Sequence, residues 1–155
     1  MSFVTTTPAT PADEPPIASS AFWPPVDPAK VRDAQRIDGT VTAPRLAATI
    51  IEAIASVNGE LGAWRQARIA EGTATLDAVE AETINDVSIL VHRYFRAVGC
   101  TAKALLLERY RDFDSTARGD KKADELADPI DDLRRDARWA ISDILGAGRC
   151  TVELI

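Results

Sequence analysis

The sequence is poor in the residue types that carry most enzyme chemistry, with one histidine and two cysteines among 155 residues. The histidine, His92, is followed by Arg93 and has Arg96 one turn on, so no acid or thiol stands at metal-ligand spacing. There is no glycine-rich phosphate loop, no dinucleotide fingerprint and no serine elbow. No catalytic residue, metal or cofactor is expected. Cys100 and Cys150 are too few for a disulfide framework and are expected to be free and structurally inert.

Long apolar runs are also missing. The longest pieces, at residues 89–91 and 104–107, fall far short of the ~20 residues that cross a bilayer. No membrane partner is expected. The opening MSFVTTTPAT lacks a basic stretch followed by an apolar block, so export is not expected. Positive charge is in deficit: 18 Lys and Arg face 24 Asp and Glu, a net charge of -6. Such a chain repels phosphate, which argues against a general nucleic-acid binder.

What remains is one domain of mainly α class, long enough to hide roughly two-thirds of its unfolded surface. Its elements read as a small bundle of three long helices and a short N-terminal one, with an extended arm before it and a β-like tail after it. Seven of the nine prolines fall at or before residue 28. Each removes a donor and biases its predecessor to extended geometry, so residues 1–27 read as an arm. In polyproline form it could reach about 80 Å at ~3.1 Å per residue. Phe22 and Trp23 are large rings that either fold back on their own domain or dock on a neighbour.

The bundle is expected over 28–148. Asp27 and Pro28 are a helix start, and Asp38-Gly39-Thr40 a stop. Thr42 and Pro44 open a longer helix with Leu46, Ile50, Ile54, Val57, Leu61 and Trp64 as its buried stripe. Gly59 and Gly62 interrupt it, so either the helix packs closely there or it breaks, and close packing is the reading taken; Gly72 ends it as a left-handed cap. Residues 73–82 are a loop with a single turn near Leu76 and Val79. A second main helix is expected over 85–112 with a wide apolar arc, which suits a central helix or one covered by another subunit. The third is expected over 120–145. Pro129 either kinks it or, after an Asp128 cap, starts a fresh helix. Residues 149–155, RCTVELI, form a tail too short to be a strand alone; pairing with another chain or with the arm is expected.

The charged residues have plain structural readings. Asp120 caps the third helix, and Asp131 and Asp132 pair with Arg135 as surface ion pairs worth a few tenths of a kcal/mol each. Arg118-Gly119-Asp120 is a turn. Arg134, Arg135 and Arg138 could sit on a recognition helix of a small packaging (terminase) subunit, but Asp131, Asp132 and Asp136 interleave with them. Trp139 is either core or contact.

Residues 110–140, YRDFDSTARGDKKADELADPIDDLRRDARWA, with Leu107-Glu108-Arg109 before them, resemble the signature stretch of the head-completion (GPL) family of contractile-tailed bacteriophages. Residues 27–32 (DPAKVR), 40–46, 58–65 and 149–155 resemble the family as well, so the likeness covers most of 22–155. The arm and the 73–84 loop do not match in detail, and Pro129 departs from the pattern. The resemblance implies a structural virion protein, not an enzyme. It implies that the chain joins the portal protein ring after DNA packaging and stabilises the filled head. Copies of the chain, twelve by the resemblance, would form the ring that receives the neck and tail terminator proteins. Packaged DNA would pass nearby without specific binding. Assembly in the host cytoplasm and residence at the head–tail interface follow. On that resemblance the subunit or portal contact is expected at Phe22, Trp23, Tyr110, Arg118, Lys121, Lys122, Arg134, Trp139, Val152 and Leu154.

Overall fold

Asp27 and Pro28 begin the helical part where the sequence predicts. In the computed structural model, which describes residues 14–113 and 119–148 and their side chains except those of 110–128, Asp27 Oδ1 accepts the Ala29 amide at 2.9 Å. Pro28 opens the first helix, Pro28–Gln35 (α1). Arg36, at φ 50°, ends it in the left-handed region, and the Ile37 amide reaches back to the Arg32 carbonyl at 3.0 Å. The turn that follows is held by Asp38, whose Oδ1 accepts the Thr40 amide at 2.9 Å.

The next helix, Ala43–Glu60 (α2), buries Leu46, Ile50, Ala53, Ile54 and Val57. Thr42 stands at its cap position without making a side-chain cap bond. The expected single helix to Gly72 does not form. Leu61, at φ -88° and ψ 1°, separates α2 from a shorter helix, Gly62–Ala70 (α3). The close-packing reading of the glycines is also corrected, since a Cβ at Gly59 or Gly62 would meet nothing within 4 Å. Two residues of high backbone entropy flank the break and make it cheap. Gly59→Ala should therefore stabilise the fold by about 0.5–1 kcal/mol, read as a higher urea midpoint at unchanged slope. A lower midpoint would return the close-packing reading. Gly72, at φ 92°, closes α3 as expected: its amide bonds the Ile69 carbonyl at 2.9 Å, and the Thr73 amide bonds that of Arg68 at 3.0 Å.

A single 3-10 turn, Leu76–Ala78, falls where the loop was expected to turn and buries Leu76 completely. A small antiparallel hairpin then intervenes where the sequence reading began a helix. Its strands are Thr83–Ile84 (β1) and Val87–Ser88 (β2), with Thr83 opposite Ser88 and Ile84 opposite Val87. Asn85 and Asp86 both have positive φ, 51° and 61°, the geometry of a two-residue hairpin turn. The main helix consequently starts later, at Ile89–Phe113 (α4). Ser88 Oγ caps it by accepting the Leu90 amide at 3.3 Å.

The last helix, Gly119–Leu145 (α5), runs through Pro129 as one element. The fresh start at Asp128 does not occur, and Asp120 lies inside the first turn instead of at the cap. Pro129 has no amide proton, so the carbonyl four residues earlier loses its usual helical partner. Gly146, at φ 69°, follows the end of α5. Among the described elements α4 is central, packing along α5 and α2 and against α1. Its wide apolar arc, from Leu90, Val91 and Tyr94 to Ala102 and Leu106, is buried by those neighbours.

The extended arm expected over 1–27 is corrected from residue 14 onward. Ile17 and Val26 exchange both backbone hydrogen bonds, at 2.7 and 2.8 Å, closing the intervening loop. Phe22 and Trp23 are each 3% exposed. Trp23 stacks on Tyr94 with ring centres 4.8 Å apart and planes 6° apart, and Phe22 meets Trp23 edge-on at 4.8 Å. Two rings of that size favour burial, and the prolines around them leave less chain entropy to lose. Residues 1–13 and the expected tail pairing of 149–155 lie outside the described residues.

Candidate assembly interface

The segment 14–27 is fixed to the bundle by an ion pair set at the root of α1. Arg32 donates from Nε to both Glu14 carboxylate oxygens at 2.9 Å and from Nη2 to Oε1 at 2.6 Å. It also donates to the Asp38 carbonyl at 3.1 Å and the Val41 carbonyl at 2.8 Å. The Glu14 hydrogen bonds are the main cause of a raised Arg32 pKa. Its contribution is complete below the ordinary arginine value and is lost only in strong alkali.

The α4–α5 pair is held by charge along its flank. Arg93 and Asp143 approach to 3.8 Å, and Arg96 and Asp136 to 3.2 Å. Arg134 pairs with Glu108 across the two helices. Arg135 bonds Asp132 at 2.6 Å, and its guanidinium lies 4.8 Å from the centre of the Trp139 ring. Two of the three arginines of the recognition-helix alternative are thus engaged with acids of the same chain. Trp139 is half-buried beneath one of them.

The structure separates the expected contact residues. Phe22 and Trp23 are core, so neither presents a surface. Arg134 and Trp139 lie on α5, the first exposed. The side chains of Tyr110, Lys121 and Lys122 lie outside the described residues, as do Arg118, Val152 and Leu154.

The histidine, the buried cysteine and the buried tyrosine have structural settings. His92 is exposed and its ring nitrogen donates to the Ile84 carbonyl at 3.0 Å, tying the hairpin to α4. Cys100 is buried and free, with its thiol pushed up by burial, which makes it unreactive; Cys150 lies outside the described residues. Tyr94 donates to Asn58 Oδ1 at 2.9 Å, and burial pushes its pKa up to about 12. Among the described residues no group of three His, Cys, Asp or Glu side chains could hold a metal ion, and no helix is long and apolar enough to cross a membrane.

What stands open instead is apolar surface on two sides of the bundle. Between the 25–35 segment and α4 lies a groove of about 340 Å³ walled by Val31, Ala34, Phe95 and Gly99, with Lys30 and Arg96 at its edges. Phe95 is 38% exposed there. On the outer side of α2, Pro44, Ala48, Ile51 and Ala55 are exposed, Ile51 at 55%. That face runs into a second apolar groove of about 300 Å³ formed by Pro15, Pro16, Ile17, Ala43, Pro44 and Ala47. Sequence reasoning missed both surfaces. Ile51 could have been found, because at ~100° per residue it falls roughly 100° off the Leu46–Ile50–Ile54–Val57 stripe; Phe95 is hidden by the breadth of the α4 arc.

A family model described as phage head completion protein (GPL) matches residues 17–155. The head completion/stabilization protein of Escherichia phage P2 is 45% identical over 143 residues, covering 92% of this chain and 85% of that protein. No solved structure matches the chain.

Proposed function

We propose, from the premise that this chain belongs to the phage head completion protein (GPL) family, that it completes the head by assembling as a ring on the portal vertex. It is a structural protein of the virion; the portal, the ring and the receipt of neck and tail proteins are the particular role proposed. The observation that carries the reading is the breadth of the likeness, which spans the whole described helical body from residue 17 onward. The chemistry agrees with it. A net charge of -6 suits a passage for DNA, because fixed cations would hold phosphate. Assembly in the host cytoplasm belongs to the same proposal, with Arg134, Trp139 and the neighbouring signature residues Arg118, Lys121 and Lys122 toward the portal or a neighbouring copy.

Light scattering after size exclusion tests it, on the purified chain alone and mixed with the portal ring of its phage. The expected result is a monomer that gains ring mass only on the portal. A chain that leaves the portal unchanged and instead retains DNA at low salt would overturn the reading in favour of a packaging subunit.

A further inference from the structure

Each copy is acidic, so copies repel at a distance and a ring must be held by apolar fit and local charge complementarity. The two exposed apolar surfaces are placed for that. On α4, Tyr94, Thr101 and Leu105 face the α2 side: Tyr94 bonds Asn58, and the other two share a cleft with Ser56 and Glu60. His92, Phe95, Arg96 and Gly99 line the groove beside α1, where Gln35 lies against Gly99. At ~100° per residue these two directions are roughly 150° apart around α4. The exposed side of α2 points further out along the first direction, since α2 turns Leu46, Ile50 and Val57 inward. The ridge and the groove therefore lie on opposite sides of the bundle.

Opposed, non-identical patches join head to tail, the contact type that closes into rings, whereas a two-fold contact would pair like with like. Resting on the ring reading above, we infer that the α2 ridge of one copy, with Ile51 as its knob, seats in the α1–α4 groove of the next copy. The ridge is made of small residues, Ala48 and Ala55, on either side of the isoleucine, so two helices can approach closely there. The groove supplies an aromatic wall, Phe95, and the aliphatic side chains of Val31 and Ala34. Charges agree at the margin: exposed Glu52 neighbours Ile51 on the ridge, while exposed Lys30 and Arg96 border a groove that holds one acid, the half-buried Asp27.

Disulfide trapping distinguishes these arrangements. Ala34→Cys and Ile51→Cys replace exposed side chains, and the double variant is assembled on the portal ring and oxidised. The expected result is a shift of the monomer band into a ladder of dimer, trimer and higher bands, with each single variant staying monomeric. A dimer from Ile51→Cys alone would overturn the inference in favour of a two-fold contact. The pair Lys30→Cys with Ala48→Cys repeats the test one turn away in case either first variant misfolds. Ring mass by light scattering without a ladder from either pair overturns the inference and leaves the ring reading standing. Absence of ring mass for the unsubstituted chain overturns both.

Discussion

Trp23→Ala should cost the isolated monomer about 3–5 kcal/mol, the range for truncating a large buried aromatic. A domain of this size holds about 5–15 kcal/mol in all, so the variant should sit near its unfolding transition at ordinary temperature. The reason is position. Trp23 is 3% exposed, stacked on Tyr94 and met edge-on by Phe22, so its removal leaves a void beneath the loop 17–26 and frees the face of the central helix. Trp23→Phe should lose much less, since a ring remains and the indole nitrogen, buried without a hydrogen-bond partner, goes with the substitution. Urea denaturation of the three chains measures this. If the two rings instead gripped a neighbouring subunit, Trp23→Ala would leave the monomer's midpoint unchanged and weaken only assembly.

The second large effect is expected at Arg32. Arg32→Ala should destabilise the fold by about 3–5 kcal/mol, the cost of stranding a buried charge whose partner is deleted. The Glu14 side chain is 7% exposed and that of Arg32 17%, so the pair is largely shielded from water in the folded chain. The Asp38 and Val41 carbonyls lose a donor in the same step. Arg32→Lys should recover little, because one ammonium cannot supply the planar fork that meets both carboxylate oxygens and two carbonyls. Removing both charges together, Arg32→Met with Glu14→Gln, should recover much of the stability. Chemical denaturation decides: a loss below about 0.5 kcal/mol for Arg32→Ala would mean a surface pair, which the geometry contradicts.

These two sites also mark where the sequence could be read and where it could not. Local signals that act within a few residues were legible. Asp27 with Pro28, Gly72 and the α2 stripe each place an element boundary or face without help from elsewhere. Signals that depend on distant partners were not. Proline density made residues 14–27 read as an arm, because the Tyr94 ring that captures Trp23 lies far along the chain. The hairpin at 83–88 escaped because its strands are two residues each and its turn, Asn85-Asp86, has no glycine to announce positive φ. The glycines at 59 and 62 suggested packing, yet the fold leaves open space at both and breaks at Leu61. The expected contact residues fared by burial: the rings at 22 and 23 belong to the core, while the exposed Ile51 and Phe95 were absorbed into apolar patterns that looked like core.

The most direct test of the account is DNA retention by filled heads assembled without this protein. Purified chain added to such heads should restore protection of the packaged DNA from nuclease, and Ile51→Glu chain, folded but with its ridge charged, should fail to do so. Heads that keep their DNA without the chain, or that leak equally after it is added, would contradict the account.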